Sequence, residues 1–340
     1  MIALIAIIVA GWFLVSLFQP FAGNGHGSVL VRVPSGASVE DIGDLLEQRG
    51  VVSSGFFFAL RARLSGDASK LRAGPRLLRR DMSYGAALDA LTTAPASAPV
   101  VVVTIPEGLS RRETVPIVRR AGLRGDYLAA SRRSALLDPR SFGAPRRTRT
   151  LEGFLFPSTY QLRRAAPVKA LVDRQLNIFR QQIRGVSMRY AHSKNLTVYD
   201  VLIIASMIDR EAGVPKDRAL IAAVIYNRLK RGIPLGIDAT TRYEYGNWTS
   251  PLRRSQLASD SPYNTRRHAG LPPTPIGNPG LAAIRAAAHP ARVPYLYYVV
   301  KPGTCGEHAF SSTNAQFQRD VARYNAARAK AGGRSPTKCP

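Results

Sequence analysis

The stretch TVYDVLIIASMIDREAGVPKD, Thr197 to Asp217, sets a carboxylate into the apolar stripe of a helix. At about 100° per residue, Val201, Ile204, Met207 and Ile208 fall within about 80° of Glu211 around the axis. Ser206, Asp209 and Arg210 gather on the other side. An ionised carboxyl among aliphatics costs several kcal/mol unless it is paired or protonated. Glu211 also stands in the last turn before Gly213, where the negative helix end disfavours the anion again. A carboxylic acid kept protonated near neutral pH can act as a general acid. The alternative is a structural ion pair with Arg218 or Arg228 of the next helix, in a chain with 48 Lys and Arg.

Other chemistries lack their motifs, and a Ser/His/Asp triad assembled from distant residues stays open with nothing pointing to one. His26, His192, His268, His289 and His308 are scattered, with no H-E-x-x-H and no metal-ligand spacing, so neither metal nor cofactor is expected. There is no G-x-S-x-G elbow, Walker loop or G-x-G-x-x-G. Carboxylates remain, and glycoside cleavage usually needs two of them. Asp209 is near in sequence but about 160° away around the helix. Asp238 and Glu152 could approach only through the fold. A sugar carrying its own nucleophile removes the need for a second carboxylate. One acid then protonates the leaving oxygen and afterwards takes the proton of that sugar's hydroxyl. Cleavage at N-acetylmuramic acid with attack by its C6 hydroxyl is such a case, and it leaves a 1,6-anhydro end.

The elements that must position these groups have their own signals. Thr197 caps the Glu211 helix with Asp200 at the third position, and Gly213 and Pro215 end it. PKDRALIAAVIYNRLKRG reads as a helix packed after it. An amphipathic helix is expected from Pro167 to Arg184, with others in GLAAIRAAAHP and TNAQFQRDVARYNAARAKAG and a strand in YLYYVV. The remainder of this region reads as turns and short elements. Upstream, VLVRVP alternates like a strand. SVEDIGDLLEQRG has a capping box at Ser38 and Asp41, SGFFFALRARLSG and SYGAALDALTT read as helices, and GPRLL is strand-like. VVVVTIPEG is β-branched and predicts a buried strand, SRRETVPIVRRAG a helix, and RRSALLDPRSFGAPRRTRT a basic surface loop. TTAPASAPV reads as a hinge.

The whole chain of 340 residues carries a formal charge of +26, which implies an anionic partner. Its start, MIALIAIIVAGWFLVSLFQPF, is just long enough to span a bilayer and has no A-x-A site after it. A single anchor is the expectation, with a cleaved signal peptide as the alternative. Cys305 and Cys339 allow one disulfide that would tie the tail to the body, or are two unrelated thiols.

At these residues the sequence resembles the YceG-like endolytic murein transglycosylases. The segments that carry the likeness are EGFLFPSTY, ASMIDREAGVPKDRALIAAVIYNRL, LGIDATTRYEYG, SPYNTRRHAGLPPTPIGNPGLAAIRAAAHP and YLYYVV…HAFSSTNAQF. The resemblance implies that Glu211 is the catalytic acid, with Asp209 in a supporting role where the family usually has Glu. Asp238 is kept from the family's L-Q-[ST]-D, but Gly236 replaces the Gln. Arg266 replaces an aromatic after Tyr263, Asn264 and Thr265, which line the groove or simply build a turn. The likeness runs from the anchor to near Tyr324, and Glu152 opens its strongest part, which ends at Phe317.

The resemblance also implies a LysM-like module, peptidoglycan strands as substrate, peptidoglycan synthases as partners, and attachment to membrane lipid. The expected fold class is α+β: an N-terminal transmembrane helix, a small LysM-like βααβ module and a larger mixed α+β catalytic domain. The expected bounds are 1–21 for the anchor, 22–97 for the LysM-like domain, 98–330 for the catalytic domain and 331–340 for the tail. The expected place is the bacterial inner (plasma) membrane, single-pass, with the catalytic domain on the extracytoplasmic side. The rivals are a hydrolytic muramidase on the same site, an inactive wall-binding scaffold in which Glu211 is ion-paired, and a nucleic-acid binder. Nucleic acid is not expected as a partner, because no stacking or groove-reading motif is present.

Overall fold

A computed structural model describes residues 2–19, 22–93 and 99–337. The chain divides into two compact units, Met1–Ala98 and Pro99–Pro340.

The first unit opens with helix α1 (Ile2–Phe18), whose 17 residues leave Leu4, Ile7 and Trp12 exposed. Among the described residues no helix is long and apolar enough to cross a membrane. The described part of the apolar run expected as an anchor thus holds a helix of 17 residues. Gln19, just past the helix, is left-handed at φ 43°.

Then come β1 (Asn24–Val33), α2 (Val39–Gln48), α3 (Gly55–Leu64), β2 (Gly74–Met82) and α4 (Tyr84–Thr92). The strands pair antiparallel, with Val31 opposite Arg76. Ser38 caps α2 through the expected box with Asp41. Helices α2 and α3 touch backbone to backbone: a Cβ on Gly43 would stand 2.5 Å from the Gly55 carbonyl oxygen. Val31, Leu46, Phe58, Leu78 and Leu91 form the core. Most of the expected hinge, residues 94–98, lies outside the described residues. So does Cys339, and with it the pairing expected for Cys305.

The second unit begins with β3 (Val100–Thr104), α5 (Arg111–Arg120), α6 (Tyr127–Ala130), β4 (Thr159–Arg163), α7 (Val168–Ile183) and α8 (Arg189–His192). It continues through α9 (Val198–Glu211), α10 (Arg218–Lys230), α11 (Asp238–Tyr245), α12 (Arg254–Leu257) and α13 (Leu281–Ala288), and ends with β5 (Tyr297–Val300), β6 (His308–Ser311) and α14 (Asn314–Lys330). Strands β3 and β4 pair antiparallel, as do β5 and β6. The valine run of β3 is not the buried strand its composition predicts. Val100 and Val102 are 61% and 57% exposed and Val103 is buried, since a two-stranded ribbon covered on one face alternates.

Helix α9 is the centre of this unit. Every residue from Val201 to Ile208 is buried, and α10 and α13 pack against it. Ser206, on the side read as polar, is buried as well. Its hydroxyl donates to the Ile203 carbonyl and accepts from the Ile276 N–H at 3.0 Å. Helix α9 is therefore enclosed nearly all round along its middle rather than amphipathic, and only its two ends, at Val198 and Asp200 and from Asp209 to Glu211, are partly open.

Candidate active site

Helix α9 ends at Glu211 and its C-cap, Ala212, is already extended at ψ 109°. Gly213 is not the left-handed stop that its place predicts. It is a close-approach residue: a Cβ there would lie 2.4 Å from the Gly306 carbonyl oxygen, in the connection between β5 and β6. Two further ties hold that hairpin. Asp217, 2% exposed, accepts from the His308 N–H at 2.8 Å and meets His308 Nδ1 at 2.9 Å. Arg228 Nε donates to the Leu296 carbonyl at 2.6 Å. Held this way, Tyr298 of β5 donates its hydroxyl to Glu211 Oε2 at 3.1 Å.

Among the described residues Glu211 has no ion pair. Arg218 approaches Asp209 instead, at 4.0 Å, and Arg228 spends its guanidinium on the carbonyls of Leu296, Pro234 and Leu235. Burial pushes the Glu211 carboxyl up to about 7. The Tyr298 hydrogen bond pulls the other way. The charge of Asp238 raises it further, and Arg266 and Arg242 lower it.

Asp238 is the first residue of α11. Its Oδ1 receives both Arg266 Nε at 2.8 Å and Arg266 Nη2 at 2.7 Å. The arginine that stands where the family has an aromatic is thus the counter-ion of Asp238. Gly236 is left-handed at φ 65°, and its N–H donates to the Thr265 carbonyl at 2.8 Å.

Thr265 and Asn264 are 1% and 0% exposed. Thr265 Oγ1 accepts from the Ile237 N–H, and Asn264 Nδ2 donates to the carbonyls of Leu257 and Ser259. Both side chains build the turn behind the group. Tyr263 is half-buried, with its hydroxyl 2.8 Å from Thr274 Oγ1 and its ring 5.4 Å from that of Tyr243.

The two remaining carboxylates lie elsewhere. Asp209 Oδ2 accepts from the Gly280 N–H at 2.8 Å, at the start of α13, and burial raises its carboxyl to about 6. Glu152 is 3% exposed and accepts from the Arg111 N–H at 3.0 Å, from Asn278 Nδ2 at 2.9 Å and from the Tyr243 hydroxyl at 3.2 Å. Burial raises it to about 7. Asn278 Oδ1 in turn accepts from the N–H groups of Gly153 and Leu155, so Glu152 belongs to the joint between these chain segments.

The structure groups Glu211 with Tyr298, Asp238 and Arg266, and neither Asp209 nor Glu152 bonds to any member of that group. Sequence reasoning missed Tyr298. It stands in the strand YLYYVV, but a separation of 87 positions from Glu211 gives no sign of contact. Among the described residues no group of three His, Cys, Asp or Glu could hold a metal ion.

A mixed α+β unit, built round a buried helix that ends in one protonatable glutamate, defines the class. Residues 31–323 match the model of the YceG-like family, and the chain belongs to that family. It is 30% identical to a Bacillus subtilis protein named endolytic murein transglycosylase, over 94% of this chain and 91% of that one. It is also 30% identical to a Streptococcus pneumoniae protein of the same name, over 90% of this chain. The chain spans about 60% of the length of that streptococcal relative. A solved structure of a putative YceG-like protein from Listeria monocytogenes superposes with a TM-score of 0.57 at 25% identity, covering 86% of this chain and 99% of that one.

Proposed function

We propose that the chain is an endolytic peptidoglycan lytic transglycosylase. It cuts the bond between N-acetylmuramic acid and N-acetylglucosamine within nascent strands and leaves a 1,6-anhydro end, which limits strand elongation. The observation that carries this is the Glu211 carboxyl: half-buried, without an ion pair among the described residues, raised to about 7, and bonded by one hydroxyl. Such a group is protonated in a large fraction at neutral pH and can also release its proton.

The steps balance on one carboxyl. Glu211 gives its proton to the glycosidic oxygen as the C1–O bond breaks. The resulting carboxylate is stabilised by the Tyr298 hydroxyl and by the nearby charges of Arg266 and Arg242. It then takes the proton of the muramic C6 hydroxyl as that oxygen bonds to C1, which returns Glu211 to its acid form. A hydrolytic variant has one observation in its favour: the charge of Asp238 is felt by Glu211, so a second carboxylate stands near the site. Its pairing with Arg266 argues against free use as a base for water.

The names of the relatives support the substrate class. In the same proposal, residues 22–97 form a LysM-like wall-binding module, supported by its βααβ order, and the apolar residues 1–21 anchor the chain in the plasma membrane with the catalytic unit outside the cytoplasm. Peptidoglycan synthases are its partners.

The test is mass spectrometry of uncrosslinked strands treated with wild type and with Glu211→Gln. New 1,6-anhydro ends from wild type alone are expected. Reducing ends would turn the reading to a hydrolase. Strand binding without products from either protein would favour an inactive scaffold.

A further inference from the structure

Three clefts of the second unit meet at Thr150. The first, of about 440 Å³, is lined by Arg111, Arg112, Arg132, Glu152 and Tyr243 together with Thr150. The second, also about 440 Å³, shares Arg132 and adds Arg133, Arg140 and Arg146. The third, about 310 Å³, shares Tyr243 and adds Arg147, Arg149 and Tyr263.

The charge in these clefts is one-sided. Arg112, Arg132, Arg133, Arg146, Arg147 and Arg149 are all exposed, and among the described residues none of them has an ion pair. The acids that line the clefts are occupied. Asp138 is paired with Arg140 at 2.7 Å, and Asp126 caps α6 through the N–H groups of Leu128 and Ala129. Glu152 is buried under three donors. Cations held together without partners repel one another, and an anion that bridges them removes that repulsion. Guanidinium groups suit planar, two-oxygen anions.

Helix α11 links the clefts to the proposed reaction site. Tyr243 lines two of them and sits on α11, five residues beyond Asp238, which is about 7.5 Å along the helix axis. Asp238 in turn acts electrostatically on Glu211. A long chain molecule that passes Glu211 and runs along α11 would carry side groups to the arginines. A glycan strand bearing peptide stems has such side groups, and each stem ends in a free carboxylate.

We propose that the arginine clefts meeting at Thr150 are a subsite for the carboxylates of the peptide stems, so that the site selects stem-bearing over bare glycan. This rests on the glycan-cleaving reading above. It assigns these arginines to substrate recognition, where the sequence alone makes them a solvated loop.

The experiment compares kcat/KM on stem-bearing strands and on strands stripped of stems by an amidase. Wild type is expected to prefer stem-bearing strands by at least about tenfold, since one charge-assisted contact is worth roughly a factor of ten or more in binding. In Arg132→Gln/Arg149→Gln the ratio of the two rates should fall close to one, chiefly through KM. Arg174→Gln/Arg319→Gln, which removes two exposed charges elsewhere in the same unit, should keep the wild-type ratio.

Equal rates of wild type on both strands would overturn the subsite, as would an equal loss in both double variants. Retention of the uncleaving Glu211→Gln protein on the two kinds of strand is measured in parallel, so the subsite is tested even if no cleavage occurs. Equal retention overturns it. Vesicles of phosphatidylglycerol and inorganic phosphate form the last arm. Binding to either that is lost in Arg132→Gln/Arg149→Gln, with no discrimination between strands, would assign the clefts to phosphate and overturn the proposal.

Discussion

The Tyr298 hydroxyl donates to Glu211 Oε2 at 3.1 Å, across 87 residues of sequence, and is the single hydrogen bond that Glu211's carboxylate oxygens show among the described residues. It favours the anion, while the burial of the carboxyl favours the neutral acid. The carboxyl is thereby held close to neutrality, able to give a proton and to take one back.

Glu211→Gln removes the proton and keeps the shape. Activity should fall by about 10²–10⁴-fold with the thermal midpoint unchanged or slightly raised, because a buried ionisable group is replaced by a neutral one. Product ends counted by mass spectrometry, alongside calorimetry, check both halves.

The pH profile of kcat/KM should decline above about 7, where Glu211 loses its proton. In Tyr298→Phe the bond that favours the anion is gone, so the proton is held longer and the alkaline limb moves to higher pH. The maximal rate should drop roughly tenfold, since the carboxylate formed in the first step loses a stabilising donor. A limb that stays in place would separate Tyr298 from the reaction.

Arg266 and Asp238 should shift that limb in opposite directions. Arg266→Gln removes a cation and leaves Asp238 without its counter-ion, and both effects move the limb to higher pH. Asp238→Asn removes the repelling carboxylate and moves it lower. Both groups are close to half exposed, so the shifts should shrink at high salt. Rate profiles at two salt concentrations measure this.

Glu152 predicts a stability slope. Its folded carboxyl holds a proton up to about 7, while in the unfolded chain it ionises near 4.5. Between those values the unfolded state binds fewer protons, so stability falls as pH rises from about 4.5 to 7 and then levels, by about 3 kcal/mol for this group. Glu152→Gln should make the thermal midpoint less pH-dependent in that window. Asp209 and Glu211 keep part of the slope. An unchanged slope would mean that Glu152 ionises freely in the fold.

Gly213→Ala should cost stability and activity together. The added Cβ would meet the Gly306 backbone 2.4 Å away, and a backbone cannot rotate aside as a side chain can. A loss of about 1–3 kcal/mol in urea unfolding is expected, with a larger fall in turnover as the hairpin shifts and carries Tyr298 from Glu211.

Local rules made a good part of this protein legible in its residues. The capping boxes at Ser38 and Thr197 are satisfied within four residues of chain, so the starts of α2 and α9 could be read directly. The place of Glu211 at a helix end followed from the same periodicity, and so did the expectation that its carboxyl would be hard to ionise. What lay beyond was decided by packing between distant segments. The β-branched run at Val100 says strand, but its exposure depends on what covers each face of β3. Gly213 reads as a helix stop in sequence, yet its use depends on Gly306 arriving against it. Asn264 and Thr265 looked equally like groove and turn until their side chains were found spent on the backbone. Above all, a helix pattern cannot say which counter-charge reaches Glu211. Excess arginine made an ion pair a serious reading, and only the tertiary structure sends Arg218 toward Asp209 and Arg228 to backbone carbonyls, leaving Glu211 to Tyr298. Burial and partners are properties of the whole packed unit, and a carboxyl's proton affinity is set by both.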